Sequence, residues 1–229
     1  MIPLPLPARW RHMKAGRISR VVHVVASPYK TGTSSLGHAL ISLGIGSAEM
    51  PYRGDLLKTY RPAFRPLNWT ANQAPSARDW IARNGDRAAR DLRGLTRALA
   101  PYDVFHDAPF GHNHLHPILR KALAPRARFL WINRDYEAWV DSVRRWETGR
   151  PELYASRAAQ WRDDPKGRRR ALRRSWNQRY ARFLQLAEEF PEDCLELQLE
   201  RMDDMGPLCA FYGIENTGQS FPKRNISKV

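Results

Sequence analysis

The most distinctive pattern in the chain is a valine-rich apolar run, then a turn rich in hydroxyl groups, then apolar residues at helical spacing. The run at residues 21–26 is typical of a short strand buried on both faces of a parallel sheet. The helical spacing from residue 36 to residue 43, followed by Gly44, predicts a helix that ends at a glycine. Between them, the turn at residues 27–35 offers three hydroxyl residues as helix caps: Thr33, Ser34 and Ser35.

Strand-like and helix-like patterns alternate along the rest of the chain. Short apolar runs predict further strands at residues 104–106, 127–132 and 195–199. Apolar residues at helical spacing predict helices at residues 76–99, 117–123, 135–146, 167–190 and 207–212. Strands that alternate with helices favour right-handed crossovers. The sequence therefore predicts a three-layer α/β fold with a central, mostly parallel sheet, flanking helices and a strand-loop-helix unit like that of P-loop proteins.

Two segments lack a clear helical or strand-like spacing of apolar residues. Residues 1–17 are rich in proline and then basic, which predicts a loosely held N-terminal arm and leaves residues 18–229 as a single domain. Residues 47–75 contain several prolines and no sustained period, so we predict a long segment without regular structure. Segments of this kind are usually functional loops or lids.

Composition limits the classes of protein to consider. The chain has 229 residues and a formal net charge of +15, which fits one α/β domain with an anionic cofactor, acceptor or surface. Its two cysteines, Cys194 and Cys209, have no metal-ligand spacing and fit a reducing compartment. No apolar run is long enough to cross a membrane, and residues 1–7 are too short for a secretion signal. These features predict a cytoplasmic protein.

The turn after the first strand is suited to bind an anion, because a helix N-terminus and several backbone N–H groups point toward it. It differs from an ATP or GTP loop, in which lysine directly follows the last glycine. Here Thr33 follows Gly32, and Lys30 lies two places before that glycine. The strand at residues 127–132 leads to Asn133 and Arg134, where an NTPase often has an aspartate for Mg²⁺. The pattern predicts a phosphate site that requires no metal.

These motifs resemble those of sulfotransferases that use 3′-phosphoadenosine-5′-phosphosulfate (PAPS). Residues 27–34, Ser-Pro-Tyr-Lys-Thr-Gly-Thr-Ser, resemble the 5′-phosphosulfate loop of that family. Residues 129–134, Phe-Leu-Trp-Ile-Asn-Arg, followed by Ser142, resemble its 3′-phosphate site. Weaker similarity, at residues 105–109, 207–213 and 221–225, extends the resemblance to about residues 20–225. It departs from the family at Tyr136, where proline is common, and leaves residues 47–75 unmatched.

The resemblance implies a role for each matched residue. Lys30 would contact the bridging oxygen of the donor. The 5′-phosphate would be bound by Thr31, Gly32, Thr33 and Ser34. The 3′-phosphate would be bound by Arg134 and Ser142, and Lys223 and Arg224 could close over it. The donor would be PAPS and the product adenosine-3′,5′-bisphosphate, with residues 47–75 as the acceptor loop.

The catalytic base is open between three residues. Glu49 follows the first helix at a place where several sulfotransferases carry a catalytic glutamate, so the resemblance favours it. His106 and Asp107 compete with it, because they lie at the end of a predicted strand. Asp107 could instead cap a turn, and His106 could be a half-buried imidazole with a structural partner. The nearby group His112, His114 and His116 lacks a carboxylate or cysteine at ligand spacing, which disfavours a metal site.

Two other functions share parts of the pattern. A nucleotide or small-molecule kinase would need lysine after Gly32 and an acid for Mg²⁺. A non-enzymatic binder of nucleic acid or another anion would use the arginine-rich face of residues 167–182. The aromatic residues of that helix fall on its apolar stripe, so nucleic acid is disfavoured. The acceptor could be an anionic glycan, lipid or small molecule, and the sequence does not define the oligomeric state.

Overall fold

The computed structural model of the chain describes residues 13–14, 16–112, 114–216 and 218–222. Most of the predicted N-terminal arm lies outside the described residues, as do Lys223 and Arg224, the residues expected to close over the 3′-phosphate. A short antiparallel hairpin comes first, formed by β1 (Met13–Lys14) and β2 (Arg17–Ile18). The division of the chain into an arm and one domain stays a prediction.

A parallel sheet forms the centre of the molecule and has four strands among the described residues. They are β3 (Val22–Val25), β4 (Val104–Phe105), β5 (Ala127–Asn133) and β6 (Cys194–Gln198). The strand order is β4-β3-β5-β6, and each neighbouring pair is parallel. The predicted α/β fold with a parallel sheet is confirmed, and each strand lies close to its predicted position.

Helices follow the strands along the chain. They are α1 (Thr33–Ser42), α2 (Gly54–Asn72), α3 (Ala77–Asp91), α4 (Arg93–Leu99), α5 (Pro117–Leu123), α6 (Tyr136–Thr148), α7 (Pro151–Asp163), α8 (Pro165–Glu189) and α9 (Gly206–Tyr212). The single helix expected at residues 76–99 is divided at Leu92, where the backbone leaves the helical region. Helix α7 was not predicted. Only Trp161 on it is buried, so its sequence carries no clear apolar stripe.

The sheet separates two apolar cores. Alternate side chains of β5 point to opposite faces, so Phe129 and Trp131 join the larger core and Leu130 and Ile132 join the smaller one. Helices α1 and α9 cover the smaller core, and helices α2 to α8 cover the larger core. This arrangement confirms the three layers.

The segment at residues 47–75 is more regular than predicted, because α2 occupies most of it. The prediction of a segment without regular structure was therefore wrong. Its prolines, Pro62 and Pro66, lie inside the helix on the exposed side. The buried face carries apolar residues at helical spacing: Leu56, Phe64, Leu67 and Ala71. Burial of this face against the larger core offsets the helix-breaking tendency of the prolines.

Candidate active site

The loop between β3 and α1, residues 26–32, turns sharply toward the start of the helix. Lys30 and Gly32 have positive φ angles of 69° and 95°. A side chain at position 32 would be strained in this conformation and would also crowd Leu199, so glycine is favoured there. The helix cap is Gly32, without a side-chain hydrogen bond, so the prediction of a hydroxyl cap was wrong. The N–H groups of the first helical turn therefore have no capping side chain and face the end of the sheet.

The hydroxyl groups of the loop have different surroundings. Thr31 is buried, and its hydroxyl donates to the carbonyl of Pro28 at 2.7 Å, which stabilises the turn. Thr33 is buried, whereas Ser34 is partly exposed at the start of α1. Ser35 is also buried, so Ser34 is the most accessible of the three hydroxyl side chains in the first helical turn.

Cationic side chains converge beside this loop. The Lys30 ammonium lies 4.3 Å from the centre of the Trp146 ring, and the Arg150 guanidinium lies 3.6 Å from the same centre. Arg134 donates from Nη1 to the Lys30 carbonyl at 2.7 Å. Burial lowers the pKa of Lys30, and three positive charges lower it further. They belong to Arg150, Arg134 and Arg145. A bound anion would relieve the mutual repulsion of these cations.

Helix α6 brings Ser142 to the same loop. Trp139 donates from its indole to the Tyr29 carbonyl at 2.9 Å, and Trp146, two turns later, lies beneath Lys30. Ser142 lies between these two residues along the same side of the helix and is 5% exposed. Arg134 and Ser142, which the sequence predicted as one site, therefore both lie beside the β3–α1 loop.

Two of the three candidates for the base contact each other. His106 Nε2 lies 2.5 Å from Glu49 Oε1. Burial lowers the pKa of His106, so the ring is neutral near pH 7 and its Nε2–H donates to the carboxylate. The other ring nitrogen, Nδ1, is buried and has no hydrogen-bond partner among the described residues. We refer to Glu49 and His106 as the Glu49–His106 pair.

Gly37 on α1 makes room for this pair. A Cβ atom at position 37 would lie 2.6 Å from His106 Cδ2 and 2.9 Å from Glu49 Oε1. Both distances are too short for real contacts, so any side chain would displace the pair. Gly37 was not predicted as a site residue, because the sequence around a glycine in a helix does not indicate which side chains approach it.

Asp107, the third candidate, has a different set of contacts. His112 Nε2 lies 3.2 Å from Asp107 Oδ1, and the Ala108 N–H donates to the same oxygen at 2.7 Å. Burial alone would raise the pKa of Asp107, but these hydrogen bonds and the nearby histidines lower it below its ordinary value. A carboxylate with a lowered pKa is a weaker proton acceptor. Asp107 instead orients His112, whose backbone N–H donates to the Val25 carbonyl at 3.0 Å.

A buried carboxylate on α6 supports the loop from behind, and the sequence analysis missed it. Glu147 has a fully buried side chain and accepts hydrogen bonds from Tyr29, at 2.7 Å, and from the Trp161 indole, at 2.8 Å. Arg168 Nη2 lies 2.5 Å from the same carboxylate. These four residues, the Glu147 network, connect the β3–α1 loop to α6, α7 and α8. Glu147 was missed because helix periodicity does not distinguish a buried carboxylate from an exposed one.

Among the described residues, no group of three or more His, Cys, Asp or Glu side chains could hold a metal ion. In the same part of the chain, no helix is both long enough and apolar enough to span a bilayer.

Comparison with known proteins identifies the family. No match to a curated protein was found. A family model described as a sulfotransferase domain matches residues 24–185, from β3 through most of α8. The match covers well over half of the chain and includes the β3–α1 loop, the Glu49–His106 pair, Arg134 and Ser142. The chain therefore belongs to the sulfotransferase domain family, whose activity is transfer of a sulfuryl group.

Proposed function

We propose that this sulfotransferase uses PAPS as its donor and transfers the sulfuryl group to a hydroxyl or amine of its acceptor. The observation that carries the proposal is the convergence of four cationic side chains on a loop that ends at a helix N-terminus: Lys30, Arg134, Arg145 and Arg150. Glu200 and Asp135 are the acidic side chains that act on Arg134, and a donor with two phosphate positions would add further negative charge to this arrangement.

The residues beside the loop fit the two phosphate groups of such a donor. The N–H groups at the start of α1 suit a 5′-phosphate, because a helix N-terminus attracts an anion. Arg134 has a planar fork that suits a 3′-phosphate, and the nearby Ser142 hydroxyl can donate to it. The Glu147 network holds Tyr29, so the loop is ordered before a nucleotide arrives.

The proposed reaction is an in-line displacement at sulfur. A bond forms between sulfur and the acceptor oxygen or nitrogen while the bond from sulfur to the 5′-phosphate oxygen breaks. The electron pair remains on that phosphate oxygen, where the Lys30 ammonium stabilises the developing charge. The proton of the acceptor passes to the Glu49–His106 pair. Positioning and electrostatic stabilisation supply most of the acceleration, as in phosphoryl transfer.

Within the pair, we assign the proton transfer to Glu49 and a positioning role to His106. The Glu49 side chain is 29% exposed, whereas that of His106 is 13% exposed and its Nδ1 is buried. The imidazole therefore orients one oxygen of Glu49 and leaves the other oxygen for an acceptor.

The donor is tested by calorimetric titration of adenosine-3′,5′-bisphosphate and ADP without added metal. We expect the protein to bind the bisphosphate clearly more tightly than ADP. We also expect Arg134→Ala to weaken bisphosphate binding about 10- to 100-fold, the usual effect of losing a hydrogen bond to a charged group. The matched control is Arg144→Ala, which removes an exposed arginine of α6 and should leave binding unchanged. Equal affinity for the two nucleotides would overturn the 3′-phosphate assignment.

A further inference from the structure

A second group of cations lies between α5, α8 and the segment that joins β4 to α5, and it borders the β3–α1 loop where His112 Nδ1 lies 3.3 Å from the Ser27 carbonyl. Its centre is Arg120 on α5, which is 1% exposed. Arg120 donates from Nε to the Leu115 carbonyl at 2.8 Å and from Nη2 to the His112 carbonyl. Its third nitrogen, Nη1, is buried and has no hydrogen-bond partner in the described part of the chain.

Two arginines of α8 face the same region. Arg179 and Arg182 lie one helical turn apart, and α8 packs against α5. Burial lowers the pKa of Arg120 to about 9, and the charges of Arg182 and Arg179 contribute. Arg182 donates from Nε to the Asn72 side chain at 2.8 Å. Among the described residues, neither Arg120 nor Arg182 has a carboxylate within ion-pair distance.

His116 adds a second unsatisfied donor. Its Nδ1 accepts a hydrogen bond from the Ile118 N–H at 3.2 Å, so the ring proton of the neutral form lies on Nε2. Nε2 is buried and has no partner within the described residues. Burial and the charges of Arg182 and Arg120 lower the pKa of His116 to about 3, which keeps the ring neutral.

Buried donors without acceptors are rare in folded proteins, and a buried unpaired charge is strongly unfavourable. Here two such donors share one neighbourhood, and the charges of the described residues that act on them belong to arginines. The region also opens to solvent, because His114, Arg179 and Arg182 are each partly exposed. An anion entering from that side would satisfy Arg120 and His116 together.

We infer that Arg120, His116, Arg179 and Arg182 form an anion pocket that receives a carboxylate or sulfate group of the acceptor. The acceptor role rests on the proposed function, whereas anion binding does not. The position fits the role. The segment that carries His116 also carries His112, which lies 3.2 Å from the Asp107 carboxylate and donates its backbone N–H to Val25, at the end of β3. An acceptor anchored in the anion pocket could thus extend its hydroxyl toward the Glu49–His106 pair.

The test uses sodium sulfate on the full chain saturated with adenosine-3′,5′-bisphosphate, with ionic strength held constant by chloride. Binding is followed by NMR through the side-chain N–H signals of Arg120 and His116. We expect both signals to shift saturably, and Arg182→Gln to raise the sulfate midpoint at least tenfold. Arg174→Gln, an exposed position on the same helix, is the matched control and should leave the midpoint unchanged. The absence of a saturable shift, or equal sulfate midpoints in Arg182→Gln and Arg174→Gln, would overturn the proposed anion pocket.

A competition experiment tests which class of acceptor the anion pocket binds. Glucuronate carries a carboxylate on a sugar, whereas glucose has no charge, so we expect glucuronate and not glucose to displace sulfate. Sulfate binding without competition by glucuronate would limit the pocket to small ions and overturn its acceptor role. Failure of the bisphosphate to bind, with sulfate still shifting Arg120 and His116, would reject the proposed donor and retain the pocket.

Discussion

The carboxylate of Glu49 is held by a single ring nitrogen. His106 contacts Oε1 at 2.5 Å and leaves Oε2 for other groups. A general base needs an accessible lone pair in a fixed position, and the arrangement provides both. Gly37 contributes by leaving space on the helix surface where the pair lies.

We predict that Glu49→Gln lowers the rate of sulfuryl transfer at least hundredfold, because general-base catalysis contributes about 10²- to 10⁴-fold. Affinity for adenosine-3′,5′-bisphosphate should be unchanged. The rate is measured with radiolabelled PAPS and a panel of hydroxyl acceptors. Asp107→Asn is the comparison variant and should lower the rate less. The reverse order would transfer the role of base to Asp107.

Individual residues differed in how far the sequence could identify them. Lys30 and Arg134 follow strand ends at recognisable spacings, and parallel strands bring such ends together. The contact of Glu49 with His106 depends on two segments far apart in the chain, so no local pattern indicates it. The sequence disfavoured a metal role for His112 but did not indicate its partners, which in the structure are the Asp107 carboxylate and the Val25 carbonyl.

At the scale of elements, the Glu147 network joins three helices behind the β3–α1 loop. Glu147 is fully buried, and Arg168, with 12% of its side chain exposed, is its main ionic partner. Removing one member of a buried ion pair leaves the other charge unpaired, which is strongly destabilising. The same carboxylate accepts the Tyr29 hydroxyl, so the network couples helix packing to the loop.

We predict that Glu147→Gln lowers the free energy of unfolding by about 3–5 kcal/mol, as measured by urea unfolding. It should also weaken binding of adenosine-3′,5′-bisphosphate, because the loop loses its anchor at Tyr29. Glu152→Gln, an exposed glutamate at the start of α7, is the control and should change stability little. A variant as stable as the wild type would show that Arg168 finds another partner.

Helices and strands with a clear apolar pattern were predicted well. Helices in which prolines or a weak apolar stripe obscure that pattern were not. The strands and helix α8 have clear apolar patterns that tertiary contacts reinforce. Helix α2 contains Pro62 and Pro66, and its buried face is evident only once the core that covers it is known. The acceptor role of that segment stays a proposal.

For the whole molecule, buried neutral histidines connect stability to pH. Burial is the main cause that lowers the pKa of His23 to about 4, of His114 to about 4 and of His116 to about 3. In the unfolded chain each would titrate near its ordinary value of about 6.5. Between these values the unfolded state binds more protons than the folded state, so stability is lost as pH falls from about 6.5 toward 4.

We predict that lowering the pH from 7 to 5 reduces the free energy of unfolding by about 2 kcal/mol for each of these histidines. Urea unfolding at several pH values measures the slope of the unfolding free energy against pH. His23→Gln should reduce that slope by about one proton, because it removes a buried ring that is neutral in the folded protein and lies 2.7 Å from the Tyr212 hydroxyl. An unchanged slope would show that His23 is protonated in the folded state.

The backbone hydrogen bonds beside Glu49 bear on how the acceptor preference of such an enzyme can change. Glu49 pairs with Val104 in a parallel bridge, and the Met50 N–H donates to the Val104 carbonyl at 2.9 Å. The carboxylate is thus fixed to the sheet before the chain reaches α2. Under the proposed role of residues 47–75 as the acceptor loop, substitutions along α2 would alter the surface offered to an acceptor without moving the proposed base. Acceptor preference can therefore change over evolution, or in the laboratory, while the chemical step is kept.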